Sequence, residues 1–175
     1  MVKTIVIIVI VLVVAVLAYA ATKPDTFRIQ RSASINAPSE KIFTILSDFY
    51  RSESWSPYEK KDPAMKRTFS GAANGKGAVY EFDGNKEVGK GRLTITDTVP
   101  PSKVTIALDI VEPFAAHNIV EYTLESVGDA TQVTWSMTGQ SPYIAKVICL
   151  FMDMDRMVGK DFEVGLSNLK AVAEA

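Results

Sequence analysis

The sequence predicts an α+β fold: one curved antiparallel sheet covered by a long C-terminal helix, behind an apolar N-terminal segment. Three observations predict it. Segments alternating apolar and polar residues recur between Phe27 and Thr138, separated by turn residues. From Pro142 onward the apolar spacing becomes helical. From Ile5 to Ala21 no residue is charged and none is glycine or proline.

The N-terminal run, IVIIVIVLVVAVLAYAA, sits at the lower edge of the ~17–25 residues that cross a bilayer. Nothing polar would face water along it, which argues against a core helix or strand. It reads as an uncleaved single-pass anchor over residues 1–22. The alternative is a cleaved signal peptide, since Ala18-Tyr19-Ala20 has the small-x-small form of a cleavage site. The apolar run reaches right up to that site, whereas secretory apolar regions span ~7–15 residues. Lys23, Arg28 and Arg31 follow the run and Lys3 precedes it, so charge does not favour a cytoplasmic N-terminus. The short leading tail resembles an export signal and points to a domain outside the cytoplasm, or to a secreted or periplasmic one after cleavage. Residues 23–26 form a polar hinge, and one domain fills 27–175.

Within the domain, Phe27 to Ile35 alternates as a strand with one buried face. Asn36-Ala37-Pro38-Ser39 turns into a helix, with Ser39 as a cap, and Ile42, Phe43, Ile45, Leu46 and Phe49 follow at helical spacing. Arg51 to Pro57 breaks that pattern, giving two short helices. Strands are expected at Met65–Ser70, Ala78–Phe82, Glu87–Val99, Lys103–Val111, Asn118–Ser126 and Gln132–Thr138. Their separators (Asp83-Gly84-Asn85, Pro100-Pro101, Pro113, Gly128-Asp129) are turn chemistry. With the first strand this makes a seven-stranded sheet. Pro142 suits a helix start. Ile144, Val147, Ile148, Phe151, Met154, Val158 and Phe162, then Leu166, Leu169 and Val172, make one long helix, broken at most at Gly159 or Gly165.

The order strand, short helices, six-strand meander, long helix resembles the helix-grip fold of the START and birch-pollen-allergen-like (SRPBCC) superfamily, in its polyketide cyclase/dehydrase branch. The residues carrying the resemblance are Ile35-Asn36-Ala37-Pro38, Lys41-Ile42-Phe43, Leu46-Ser47-Asp48 and Trp55-Ser56-Pro57. Gly77 to Tyr80, Thr134-Trp135 and the late-helix Gly165-Leu166-Ser167-Asn168-Leu169-Lys170 add to it. The resemblance implies that the long helix lies across the concave face of the sheet, above a cavity for a small hydrophobic molecule or lipid. The expected cavity residues are Trp55, Tyr80, Phe82, Tyr122, Trp135 and Met137 on one side. The long helix answers with Phe151, Met154, Val158 and Phe162. The same residues also suit an ordinary filled core.

Composition excludes several classes. With 19 basic and 20 acidic residues, the formal net charge of −1 gives no electrostatic reason to bind nucleic acid. The single cysteine, Cys149, excludes an internal disulfide. One Cys, one His and scattered carboxylates offer no transition-metal spacing, and no cofactor is implied. "SGAANGKGAVY" lacks the Gly-Lys-Ser/Thr ending of a phosphate loop and lies between strands, so it reads as a hairpin. His117 reads as an exposed turn residue, and Asp153 and Asp155 as a solvated face. The leading reading is a monomeric, membrane-anchored carrier or sensor. The alternatives are a cyclase or dehydrase using Tyr80, Glu81, Tyr122 or Ser136, and a protein-interaction module.

Overall fold

The computed structural model describes residues 2–175 and has the expected architecture. An apolar helix α1 (Val2–Ala21) leads into β1 (Thr26–Ile35). A V of short helices follows: α2 (Ser39–Leu46), a single 3-10 turn at Phe49–Arg51, α3 (Ser52–Trp55) and α4 (Pro57–Lys61). The meander is β2 (Lys66–Gly71), β3 (Ala78–Asp83), β4 (Lys90–Val99), β5 (Lys103–Glu112), β6 (Ala116–Val127) and β7 (Ala130–Gln140). Two helices close the chain, α5 (Tyr143–Cys149) and α6 (Met154–Glu174).

The strands form one antiparallel sheet in the order β1-β7-β6-β5-β4-β3-β2. Consecutive hairpins account for every pairing except β1 with β7, which lie side by side because the V of helices carries the chain across to β2 at the far edge. Register shifts in β4 at Lys90/Gly91 and Ile95/Asp97 insert bulges that bend the sheet. At the tight turn after β2, Gly71 takes a left-handed φ of 75°, and a side chain there would strike the Gly77 carbonyl.

The bent sheet leaves its concave face to α6. That helix packs on β1 and β7 and against α2, α3 and α4. Its stripe of Phe162, Leu166 and Leu169 is fully buried, together with Ile35, Ile42, Ile95, Val104 and Val133. Burying each such side chain contributes roughly 1.5–3 kcal/mol. Arg31 on β1 fixes the helix from its solvent side, donating to Asp155 and Glu163 at 2.9 Å each.

The single long C-terminal helix is corrected to two. The break falls at Leu150–Asp153, where the Asp153 carboxylate accepts from the backbone N–H of Arg156 at 2.9 Å and starts α6 afresh. Gly159 and Gly165 lie within α6 without breaking it, and both are contact residues: a Cβ at Gly159 would meet the Arg31 guanidinium, and one at Gly165 would meet Trp135. The first cap also shifts by one residue, Pro38 standing at the N-cap of α2 and Ser39 inside it.

Candidate functional site

Beneath α6 the V and the sheet meet in an aromatic chamber filled by its own side chains. Tyr122 and Trp135 are register partners on β6 and β7, so both rings rise from the same face of the sheet. Trp55, the last residue of α3, meets them edge-on at 5.9 Å and 5.7 Å. Phe162 of α6 stacks on Trp135 at 4.2 Å. The Asn168 side chain donates to the Trp55 carbonyl at 3.0 Å, tying α3 to α6. The aromatic cluster that ends the V thus forms one end of the chamber.

The polarity of this chamber is unusual. Trp55 and Trp135 are 5% and 4% exposed, and the indole N–H of each is buried without a hydrogen-bond partner. Buried polar groups are ordinarily paired. Burial pushes the Tyr58 and Tyr122 phenols above their ordinary range, with the nearby Asp161 adding to the effect at Tyr58 and Tyr58 adding to it at Tyr122. Both are neutral phenols at physiological pH, able to donate and accept hydrogen bonds.

A second, polar arm joins α4 to the far strands. Glu59 is buried, and its two carboxylate oxygens accept from the Tyr80 hydroxyl at 2.6 Å and from Arg67 Nε at 2.7 Å. Arg67 also donates to the Met65 carbonyl at 2.8 Å. Burial, and then the bond to Glu59, hold the Tyr80 phenol above its ordinary value. The sequence reading named Tyr80 but missed Glu59 and Arg67. A glutamate in the charged stretch 57–61 looks solvated, and only its place on the inner side of α4 reveals otherwise.

An aromatic row leads outward from Tyr80. Phe69 stacks on Tyr80 at 5.0 Å, and the exposed Tyr50 stacks on Phe69 at 4.3 Å. This row borders a surface pocket of about 260 Å³ between Phe49, Tyr50, Phe69 and the 70–73 loop. A second pocket of about 340 Å³ lies between β1 and α6, lined by Ser32, Ser34, Glu163 and Lys170. Neither is lined by Trp55, Tyr122 or Trp135, whose rings fill the chamber between them.

Of the expected cavity residues, Trp55, Tyr80, Tyr122, Trp135 and Phe162 come together in the core, with Phe82, Met137 and Val158 half-buried around them. Phe151 and Met154 do not face the sheet. Phe151 is 75% exposed in the break between α5 and α6, and Met154 is exposed at the first turn of α6. The polar candidates separate likewise. Glu81 pairs with Arg92 at 2.5 Å, and Ser136, one residue from Trp135, projects from the opposite face of β7. His117 lies on β6 rather than in a turn, paired across to Asp109 on β5 at 2.5 Å and mostly exposed. Asp153 caps α6 and Asp155 binds Arg31, so neither is merely solvated. Among the described residues no group of three His, Cys, Asp or Glu is placed to hold a metal ion.

Comparison with known proteins places this geometry. Protein CV1439 from Chromobacterium violaceum superposes with a TM-score of 0.61 at 16% identity, over 87% of this chain and 99% of that one. The Aha1 dimer from Colwellia psychrerythraea gives 0.59 at 18% identity, over 85% and 96%. The di-domain aromatase/cyclase StfQ of the steffimycin biosynthetic pathway gives 0.63 at 10% identity, over 85% of this chain and 51% of that one. At these identities the likeness is one of fold. No curated protein matches the chain significantly by sequence. The family model "Polyketide cyclase / dehydrase and lipid transport" matches residues 26–174, all of the sheet and of its helices, and the chain belongs to that family.

Proposed function

We propose that the domain is a carrier or sensor holding a small hydrophobic molecule or lipid, tethered to a bilayer by α1. The observation that carries this reading is the pair of unpartnered indole N–H groups, Trp55 and Trp135, inside an aromatic chamber. Each buried donor left unpaired costs about 1–3 kcal/mol. The rings that fill the chamber must part to admit a ligand; an apolar one bearing a carbonyl, ester or carboxyl oxygen then relieves that cost while its body lies against them. The tether rests on length: at 1.5 Å per residue, the 20 residues of α1 rise about 30 Å, the thickness of a bilayer core.

The family also contains cyclases and dehydrases, whose chemistry needs a group that takes or gives a proton. In this chain the three inner phenols, Tyr58, Tyr80 and Tyr122, are all pushed towards the neutral form. Glu59 has both oxygens engaged by Tyr80 and Arg67. Glu59 so held orients Tyr80 rather than standing free as a base, which favours binding over turnover.

Native mass spectrometry of the full chain, extracted from its own membranes in mild detergent, tests the reading. The wild type is expected to carry an apolar adduct. The double variant Trp55→Phe, Trp135→Phe keeps the rings but loses both donors, and its adduct should fall roughly fivefold for each hydrogen bond of about 1 kcal/mol. A wild-type chain that carries no adduct, and takes none from a total lipid extract, overturns the carrier reading.

A further inference from the structure

The strongest feature outside the chamber is an apolar stripe beside the N-terminal helix. Ile144, Ile148, Phe151 and Met152 follow the i, i+4, i+7, i+8 spacing of a single helix face. The backbone keeps that face continuous past the end of α5, since the N–H groups of Phe151 and Met152 both bond to the Ile148 carbonyl, at 3.0 and 3.1 Å. All four side chains are exposed, Ile144 by 73%. On the other side of α5, Lys146 is buried and donates to Asp25 at 2.5 Å, in the link between α1 and β1. This segment is thus folded outside in, its lysine covered and its aliphatic residues bare.

Its position says what covers the stripe. α5 packs on α1, and the Tyr143 hydroxyl donates to the Leu17 carbonyl at 2.7 Å, within the last turns of that helix. Ala20 is the one buried residue of α1, so the helix meets the domain only at its C-terminal end. There Lys23 bonds the Tyr19 hydroxyl at 2.8 Å, an aromatic and basic pair of the kind that marks a membrane–water boundary. The strand register brings the β5–β6 turn to this same end, and that turn carries the exposed Phe114. An exposed apolar face beside other exposed apolar residues marks a protein or membrane interaction site.

We infer that the stripe on α5 and its following turn lies in the headgroup region of the bilayer that α1 enters, with Phe114 beside it, so that the domain rests on the membrane by this end. The inference builds on the tether proposed above. The occupant is a phospholipid surface. The stripe and its neighbours bring no cluster of basic residues, so a zwitterionic surface suffices and strong dependence on anionic lipid is not expected.

The single cysteine allows a direct test, because Cys149 is exposed and adjoins the stripe. The full chain, labelled there with an environment-sensitive fluorophore, is reconstituted into phosphatidylcholine vesicles that contain a lipid with a shallow nitroxide quencher. Quenching is expected to exceed several-fold that of a label at Asp129→Cys in a Cys149→Ser background, in the β6–β7 turn at the opposite end of the sheet. The variant Ile148→Asp, Phe151→Asp should lose the excess, its circular dichroism being unchanged because both side chains are exposed. A carbonate wash of the same vesicles separates the two readings. A chain that resists the wash but shows no excess quenching keeps the tether and overturns the docking. A chain that washes off yet is quenched beforehand keeps the docking without the tether. A label shielded from aqueous iodide but untouched by the lipid quencher assigns the stripe to a protein partner and overturns the inference.

Discussion

α6 buries Phe162, Leu166 and Leu169 against the sheet, while α5 and the turn after it, a few residues upstream, leave Ile144 and Phe151 in the open. The two helices carry the same apolar spacing, so periodicity alone does not distinguish them. The difference lies in what each helix can reach. α6 lies across the concave face of a bent sheet and is fixed by the Arg31 ion pairs. α5 packs instead on the end of α1 and is tied to the Asp25 link. A repeating apolar face therefore reports that something covers it, without saying whether the cover is protein or lipid.

The largest effect that separates the two helices is expected at Phe162. Its ring is 2% exposed and stacked on Trp135, so Phe162→Ala opens a cavity at the centre of the core. Such truncations cost about 3–5 kcal/mol, a large part of the stability of an ordinary domain. Denaturant unfolding of the full chain in detergent reads it. A cost under about 1 kcal/mol would mean that α6 is loosely held, and the contrast with α5 would lose its basis.

Gly165 sharpens the same contrast at intermediate size. A Cβ there would stand 2.5 Å from the Trp135 ring and 3.1 Å from the ring of Pro57. Trp135 cannot swing away, because Phe162 stacks on it and Trp55 meets its edge. Alanine has the higher helix propensity, worth up to ~1 kcal/mol over glycine. Overpacking of this kind typically costs 1–3 kcal/mol, so Gly165→Ala should nevertheless destabilise. A gain in melting temperature would show that the chamber has slack between α6 and β7, and would strengthen the case for a ligand lying there.

The sequence made the sheet legible because alternation and turn residues are local signals, and seven strands with six hairpin or helical links leave few ways to be arranged. Trp55, Tyr122, Trp135 and Phe162 were legible for the same reason: large rings at inward positions of recognisable elements. Two things were not. The buried Glu59 pairs with the half-buried Arg67 across eight residues of sequence, and nothing local distinguishes them from the lysines beside them. The break at Leu150–Asp153 was hidden by two glycines that look like breakers and serve instead as close contacts. Phe151 and Met154 were assigned to the wrong side because the helical count was carried through that break. Past a new cap the phase of the helix starts again, and a face predicted to be inside can emerge outside.

Phe151 carries the smallest expected effect on stability and the sharpest consequence for the comparison. Its ring is 75% exposed, and no aromatic partner lies against it among the described residues. Surface substitutions away from caps and buried networks usually change stability by no more than about 0.5 kcal/mol in either direction. For a chain of 175 residues, that is a shift of roughly 1–2 °C in melting temperature. Phe151→Ser should therefore leave thermal unfolding in detergent nearly unchanged. Were the ring instead folded under α6, as the uninterrupted helix would have it, the same change would empty a core position and cost several kcal/mol, as at Phe162. The two cases differ by more than fivefold in one measurement. A large loss would return Phe151 to the core and remove the exposed stripe. A negligible one leaves the ring free, on the side of the domain from which α1 emerges.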